Sequence, residues 1–331
     1  MSQIPVTLLT GFLGAGKTTL LNRLLRQPEM AGTAVLINEF GEIGLDHLLV
    51  ERLDEDTILL AAGCLCCTIR GDLSRALRDL AQRPEPIARV VIETTGLADP
   101  APILQTLMSD PLLLRDYRLD GVVTLVDALH GMTTLDEQPE ALRQAAVADR
   151  IVITKADLAD AGALRARLAA LNPMAPILTA IEGDIPAAQL IHAGPFSGDG
   201  KLPQITDWIS AAGHHHHHHH HHHDVNRHDA RIRALCLRFE APLPWEGLAS
   251  YLEMMAMTQG RHVLRMKAVL NLQGQRGPVV LHGVQHSFHP PRMLESWPEG
   301  DDRSSRLVFI LRDLEPRVVE DGLRAFLEAA A

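Results

Sequence analysis

Eight residues near the amino terminus, Gly11-Phe-Leu-Gly-Ala-Gly-Lys17-Thr18, have the spacing G-x-x-x-x-G-K-[ST]. Glycines at these intervals let a backbone wrap a polyanion, and a following helix turns its free N–H groups toward it. Gly11, Gly14, Ala15, Gly16 and Thr19 are therefore expected to line a phosphate cradle. Lys17 would reach the β- and γ-phosphates and assist their transfer, and the Thr18 hydroxyl would ligate Mg²⁺. Lysine is scarce: Lys17, Lys155, Lys201 and Lys267 are the only four among 31 basic residues. Arginine is this chain's default cation, yet two of the four lysines fall inside nucleotide-type motifs.

The second is Thr154-Lys155-Ala156-Asp157, a variant of N-K-x-D that follows an apolar run. Asp157 can accept from the N1 and N2 donors of guanine, which adenine lacks, so the motif argues for GTP. Thr154 stands where Asn is usual and can replace only part of its hydrogen bonding to the base. Between the two motifs, Arg89-Val-Val-Ile-Glu93-Thr-Thr-Gly96 puts an acid at the end of a buried strand, where ligands of open α/β sheets collect. Glu93 would hold Mg²⁺ through water or orient the attacking water, and Gly96 would let the backbone approach the γ-phosphate.

Gly63-Cys64-Leu65-Cys66-Cys67 offers three thiols within four residues. Thiolates bind soft or borderline metals, with Zn²⁺, Co²⁺ or Cu⁺ suited. A closed zinc site draws on two separated pairs, and the fourth cysteine, Cys236, stands far off in sequence. The set is thus incomplete and the ion exchangeable, or Glu39 and Glu42 of Asn38-Glu-Phe-Gly-Glu42 complete a mixed sulfur and oxygen site. Ten consecutive histidines, 214–223, would form a weak, multivalent, pH-sensitive site for Zn²⁺, Ni²⁺ or Co²⁺, or serve only as a linker. His282, His286 and His289 read as ordinary histidines; on an extended strand the first two would share a face.

Elements must hold these groups together. Apolar runs at 6–9, 34–37, 89–92, 121–126, 150–153 and 176–179 alternate with amphipathic stretches at 17–26, 72–81, 101–108, 139–147 and 161–171. Strand–helix repetition predicts an α/β domain with a doubly wound, mostly parallel sheet over residues 1–195. A linker with the His tract follows at 196–229, and a smaller α+β domain at 230–331, with strands near 231–240, 263–272, 279–282 and 306–311 and helices at 245–257 and 316–330.

The 331 residues carry a net charge of −10, with 46% hydrophobic and 22% charged residues. Such a chain is globular and long enough for two domains. Mild acidity, with seven Phe, three Trp and two Tyr, argues against nucleic acid as a partner. The absence of an eighteen-residue apolar run or a signal-like start predicts a cytoplasmic protein without a membrane partner.

Taken in order, GFLGAGKTTLL, INEFGEIG, GCLCC, ETTGLADP and TKAD resemble the CobW-type P-loop GTPases, relatives of the UreG and HypB nickel GTPases, and within them the YjiA-like branch. The resemblance covers essentially the whole chain, and GCxCC is its specific element. It implies a GTPase that loads a transition metal, zinc or alternatively cobalt or nickel, and delivers it to a client metalloprotein, with GTP and metal binding coupled; no arginine finger can be assigned from the sequence, so intrinsic turnover should be slow. Lys17 and Thr18 would then serve phosphate and Mg²⁺, Lys155 and Asp157 the guanine, and Cys64, Cys66 and Cys67 the cargo metal, with Glu39 and Glu42 in or beside the site. The competing expectations are a metal buffer that binds through its His tract, its GTPase domain incidental, and a P-loop kinase for a small molecule.

Overall fold

The computed structural model describes residues 3–38, 58–62, 69–191 and 231–330. Two compact units divide the chain near residue 197.

In the first unit seven described strands form one parallel sheet: β1 (Ile4–Gly11), β2 (Thr33–Asn38), β3 (Ile58–Ala62), β4 (Arg89–Glu93), β5 (Tyr117–Asp127), β6 (Arg150–Thr154) and β7 (Ile177–Ala180). Their order is β3-β2-β4-β1-β5-β6-β7. Every residue of β4 and β6 is buried, the pattern of parallel strands covered on both faces. The helices are α1 (Lys17–Leu25), α2 (Ile69–Ala81), α3 (Ala101–Ser109), α4 (Pro111–Asp116), α5 (Gly131–Glu137), α6 (Pro139–Val147) and α7 (Gly162–Leu171). In α2 the buried Leu73, Leu77 and Leu80 recur at helical spacing, so one face packs inward.

The strand order places the site. From β1 the chain crosses through α1 to β2, on one side; from β4 it returns through α3 and α4 to β5, on the other. The crevice of a doubly wound sheet lies at such a reversal, above the carboxyl ends of the strands. In register, Leu9 pairs with Glu93, Gly11 with Leu125, and Asp127 with Thr154. The motif-bearing ends of β4, β1 and β6 thus stand together, with only the end of β5 between the last two.

At the other end of β5 the register with β1 slips by one residue between Val6 and Thr7. The extra residue, Asp120, is 1% exposed. Its carboxylate accepts from Arg89 at 2.7 Å, Arg118 at 3.2 Å and Thr7 at 3.3 Å. A charge is tolerated at that depth because cations from two strands meet it.

Three elements of this unit depart from the sequence expectation. Strand β3 was not anticipated: Ile58–Ala62 follows an acidic stretch and ends in two alanines, poor strand formers. Helices α4 and α5 were also missed, being short, and α5 opens on glycine.

The second unit is an antiparallel sheet of β8 (Ile232–Phe239), β9 (Val263–Leu270), β10 (Val279–Val284), β11 (Ser287–Phe288), β12 (Arg292–Met293) and β13 (Ser305–Arg312), with α8 (Trp245–Gln259) and α9 (Pro316–Ala329). The order is β11-β10-β9-β13-β8, with β12 beside β10. Leu235, Leu237, Met266, Leu307 and Phe309 join Leu248, Tyr251 and Leu252 of α8 and Val319, Leu323 and Leu327 of α9 in one core. The Tyr251 hydroxyl donates to the Val319 carbonyl at 2.7 Å, fixing helix against helix.

Candidate nucleotide site

Gly11 leaves β1 with φ +144°, and a Cβ there would meet the Leu125 carbonyl oxygen at 2.5 Å. The loop therefore turns over β5 with no room for a side chain. Gly16 caps α1 in the left-handed conformation, φ 89° and ψ 22°, so the first N–H groups of α1 open into the loop. Thr19 is exposed on that first turn, and Ala15 is buried. Lys17 is 9% exposed; its ammonium donates to the carbonyls of Gly11 at 2.9 Å and Phe12 at 3.1 Å. Those bonds hold the cation over the loop, ready to be exchanged for stronger anionic acceptors.

The Thr18 hydroxyl donates to Glu93 Oε1 at 2.9 Å, and Glu93 is 5% exposed. A hydroxyl and a buried carboxylate within hydrogen-bond reach are hard oxygen donors, the kind Mg²⁺ prefers. The donor set fits that ion.

Beyond Glu93 the chain is bound closely to the phosphate loop. The Thr94 amide donates to the Leu9 carbonyl at 3.0 Å, and the Thr94 hydroxyl to the Thr10 hydroxyl at 2.8 Å. A Cβ on Gly96 would lie 2.5 Å from the Leu13 amide nitrogen. Glycine here lets the ETTG turn rest on the phosphate loop. On the far side Gln144 Nε2 of α6 donates to the carbonyls of Gly96 and Ala98, each at 3.0 Å. Arg143 Nε lies 3.2 Å from Asp99 Oδ2, while Asp99 Oδ1 accepts from the Ala101 amide at 2.9 Å at the start of α3.

The Thr154 hydroxyl donates to the Ala15 carbonyl at 2.9 Å, a buried bond across 139 residues. The single proton of this hydroxyl is thus engaged by the phosphate loop. Lys155 adopts φ +56°, uncommon for a residue with a Cβ, and its ammonium lies 3.2 Å from Asp127 Oδ2. Asp127 Oδ1 also accepts from the His130 amide at 2.6 Å, so this carboxylate ties the Lys155 turn to the start of α5. Asp157 is exposed just beyond, its carboxylate accessible to a donor edge. Sequence reasoning missed Asp127, Arg143 and Gln144; the bonds that bring them to the site, to Lys155, Asp99, Gly96 and Ala98, join residues remote in sequence, and no local motif marks them.

Glu39, Glu42, Cys64, Cys66, Cys67 and the tract 214–223 lie outside the described residues. Among the described residues no group of three His, Cys, Asp or Glu is arranged to hold a metal. The shared face that one extended strand would give His282 and His286 does not form. Strand β10 ends at Val284, and the chain reverses through Gln285 at φ 52°. His289 returns beside His282, with ring centroids 4.8 Å apart, while His286 Nδ1 lies 2.7 Å from the Ala256 carbonyl. No described helix is long and apolar enough to cross a membrane.

The profile of the CobW/HypB/UreG nucleotide-binding domain matches residues 5–179, and that of the cobalamin synthesis protein CobW C-terminal domain matches 232–327. The zinc chaperone YjiA of Escherichia coli K12 is 34% identical over 335 residues, covering 98% of this chain and all of that protein. The zinc chaperone CobW of Pseudomonas aeruginosa is 31% identical over 362 residues, covering 99% of this chain and 92% of that one. The crystal structure of Zn(II)-bound YjiA GTPase from E. coli superposes with a TM-score of 0.70 at 30% identity, over 98% of this chain and 99% of that one. With phosphate loop, acid-bearing strand and TKAD turn on strand ends that stand together and a matching second domain, the chain belongs to the CobW/HypB/UreG family of P-loop GTPases.

Proposed function

We propose that the chain is a cytoplasmic zinc chaperone that uses GTP to gate its metal and hands that metal to a client metalloprotein. One observation carries the reading beyond family membership. Strands β2 and β3 run parallel with Asn38 opposite Ala62, so the chain enters the Glu39–Glu42 and Cys64–Cys67 motifs from neighbouring strand ends, about 5 Å apart. Both ends face the sheet edge that bears the phosphate loop. Motifs with carboxylates and thiols that follow two neighbouring strand ends suit a shared, exchangeable transition-metal site.

In this mechanism Lys17 leaves the Gly11 and Phe12 carbonyls for the β- and γ-phosphates, and Asp157 accepts from guanine, with Lys155 packed against the base. Thr18, and Glu93 through water, would hold Mg²⁺, which when bound would neutralise charge on the phosphate oxygens. The backbone of the ETTG turn, already resting on the phosphate loop, responds to the terminal phosphate. Order gained there would extend along the strand ends to the 39–44 segment and the cysteines and tighten their grip on zinc, and hydrolysis would release it.

The test is a competition titration of Zn²⁺ and Co²⁺ against a chromophoric chelator, on protein lacking 214–223. It is run with Mg²⁺ and a GTP analogue, with GDP, and without nucleotide. Tightening with the analogue alone, abolished by Cys66→Ala, is expected. Equal affinity in all three states would refute gating. Loss of most tight binding with the His tract would favour a metal buffer.

A further inference from the structure

We infer that Gln144 is a positioning residue for GTP hydrolysis, acting through the Gly96–Ala98 turn. Three observations converge on it. Gln144 is 1% exposed on α6, and its amide nitrogen donates to two carbonyls of the turn, Gly96 and Ala98, at 3.0 Å each. Both partners are acceptors, so the side-chain orientation follows from chemistry: the flipped amide would set oxygen against two carbonyl oxygens. Among the described residues its own Oε1 has no hydrogen-bond partner, so it is the donor end of the amide that is committed to the turn.

Nor is α6 a loose support. The Gln144 carbonyl accepts from the Thr124 hydroxyl of β5 at 2.8 Å, and the neighbouring Arg143 holds Asp99 at the end of the same turn. On its opposite side the turn lies against Leu13, with no space for a Cβ on Gly96. The turn is therefore clamped between the phosphate loop and α6, and Gln144 sets its height above the site. The phosphate loop and the TKAD turn, which would hold the phosphates and base of GDP, are not bonded by the Gln144 side chain, whose two hydrogen bonds both go to the Gly96–Ala98 turn. Its influence falls on the step that needs the turn, attack at the terminal phosphate, where small displacements of positioning groups are costly.

Gln144→Met keeps the volume and removes both donors. GDP affinity should stay within about twofold, while kcat falls about ten- to hundredfold, the effect expected for two lost hydrogen bonds that matter in the transition state. Gln144→Glu supplies a decisive second readout. Its carboxylate opposes both carbonyls at neutral pH, but its protonated form can donate to one, so its kcat relative to wild type should recover as pH is lowered, whereas that of Gln144→Met should not. Unchanged kcat in Gln144→Met, or GDP affinity falling as far as kcat, would overturn the inference. If neither variant folds, hydrogen exchange on the wild type decides: the 94–99 and 139–147 peptides should gain protection together with a GTP analogue and not with GDP. Indifference of 139–147 to nucleotide would overturn the assignment.

Discussion

Thr154→Val tests whether the threonine of the TKAD turn serves the phosphate loop or the base. Valine replaces the hydroxyl with a methyl of similar size and keeps the β-branched packing against Gly16, whose Cβ position lies 3.8 Å from the Thr154 methyl. The change isolates one hydrogen bond, Thr154 Oγ1 to the Ala15 carbonyl at 2.9 Å. Thr154 is 5% and Ala15 2% exposed, so water cannot readily replace the donor. A buried acceptor left unsatisfied costs about 1–3 kcal/mol. If the full amount falls on the bound geometry of the loop, nucleotide affinity drops about 5- to 150-fold, since 1.4 kcal/mol is tenfold. GDP and GTP share this loop, so both should weaken by the same factor, with kcat nearly unchanged and preference over ATP intact. Fluorescence titration with labelled GDP, GTP analogue and ATP analogue measures all three. Unchanged affinity, or a loss confined to guanine over adenine preference, would refute the reasoning and return Thr154 to the base.

Other outcomes follow from neighbouring features. In Gly96→Ala the new methyl would stand 2.5 Å from the Leu13 amide nitrogen, where ordinary contact begins at 3.4 Å; kcat should fall about 100-fold, as for displacements near 1 Å, and more than GDP affinity, by steady-state kinetics and titration. Asp120→Ala leaves Arg89 and Arg118 around a vacated buried site and should cost about 3–5 kcal/mol, read from urea unfolding. His289 is held below the ordinary imidazole value of 6.5, chiefly by burial, with Arg292 adding to the shift and the Pro290 carbonyl opposing it. The unfolded chain therefore takes up this proton first as pH falls below 6.5, and stability declines with it. The thermal midpoint should drop more between pH 7.5 and 5.5 in wild type than in His289→Gln, and equal drops would discount His289.

Much of this architecture was legible because parallel strands buried on both faces read as apolar runs, as in β4 and β6, and because the phosphate loop is specified by local spacing from Gly11 to Thr18. Where specification is local, sequence suffices. The Thr154 bond to Ala15 and the Gln144 bonds to the ETTG turn join residues 139, 48 and 46 positions apart, and no periodicity encodes such pairs. His286 and His289 exchanged roles because one left-handed residue, Gln285, ends the strand alternation on which the face assignment depended. Strand β3 hid because its fit comes from lying beside β2, a tertiary effect that overrides the weak propensity of Ala61 and Ala62.

The strand order also shapes how the protein is made. β1 is first in the chain yet lies between β4 and β5, with Val6 opposite Val90 and Leu119. Its nearest mate is 84 residues downstream, so at 5–20 residues per second it waits roughly 4–17 s during translation with both hydrogen-bonding edges unsatisfied. The segment that becomes the nucleotide cradle is thus among the most aggregation-exposed parts of the nascent chain. High contact order makes the first unit a slow folder. Guanine nucleotide captured at closure would act as a late folding ligand, pulling the sheet shut by mass action.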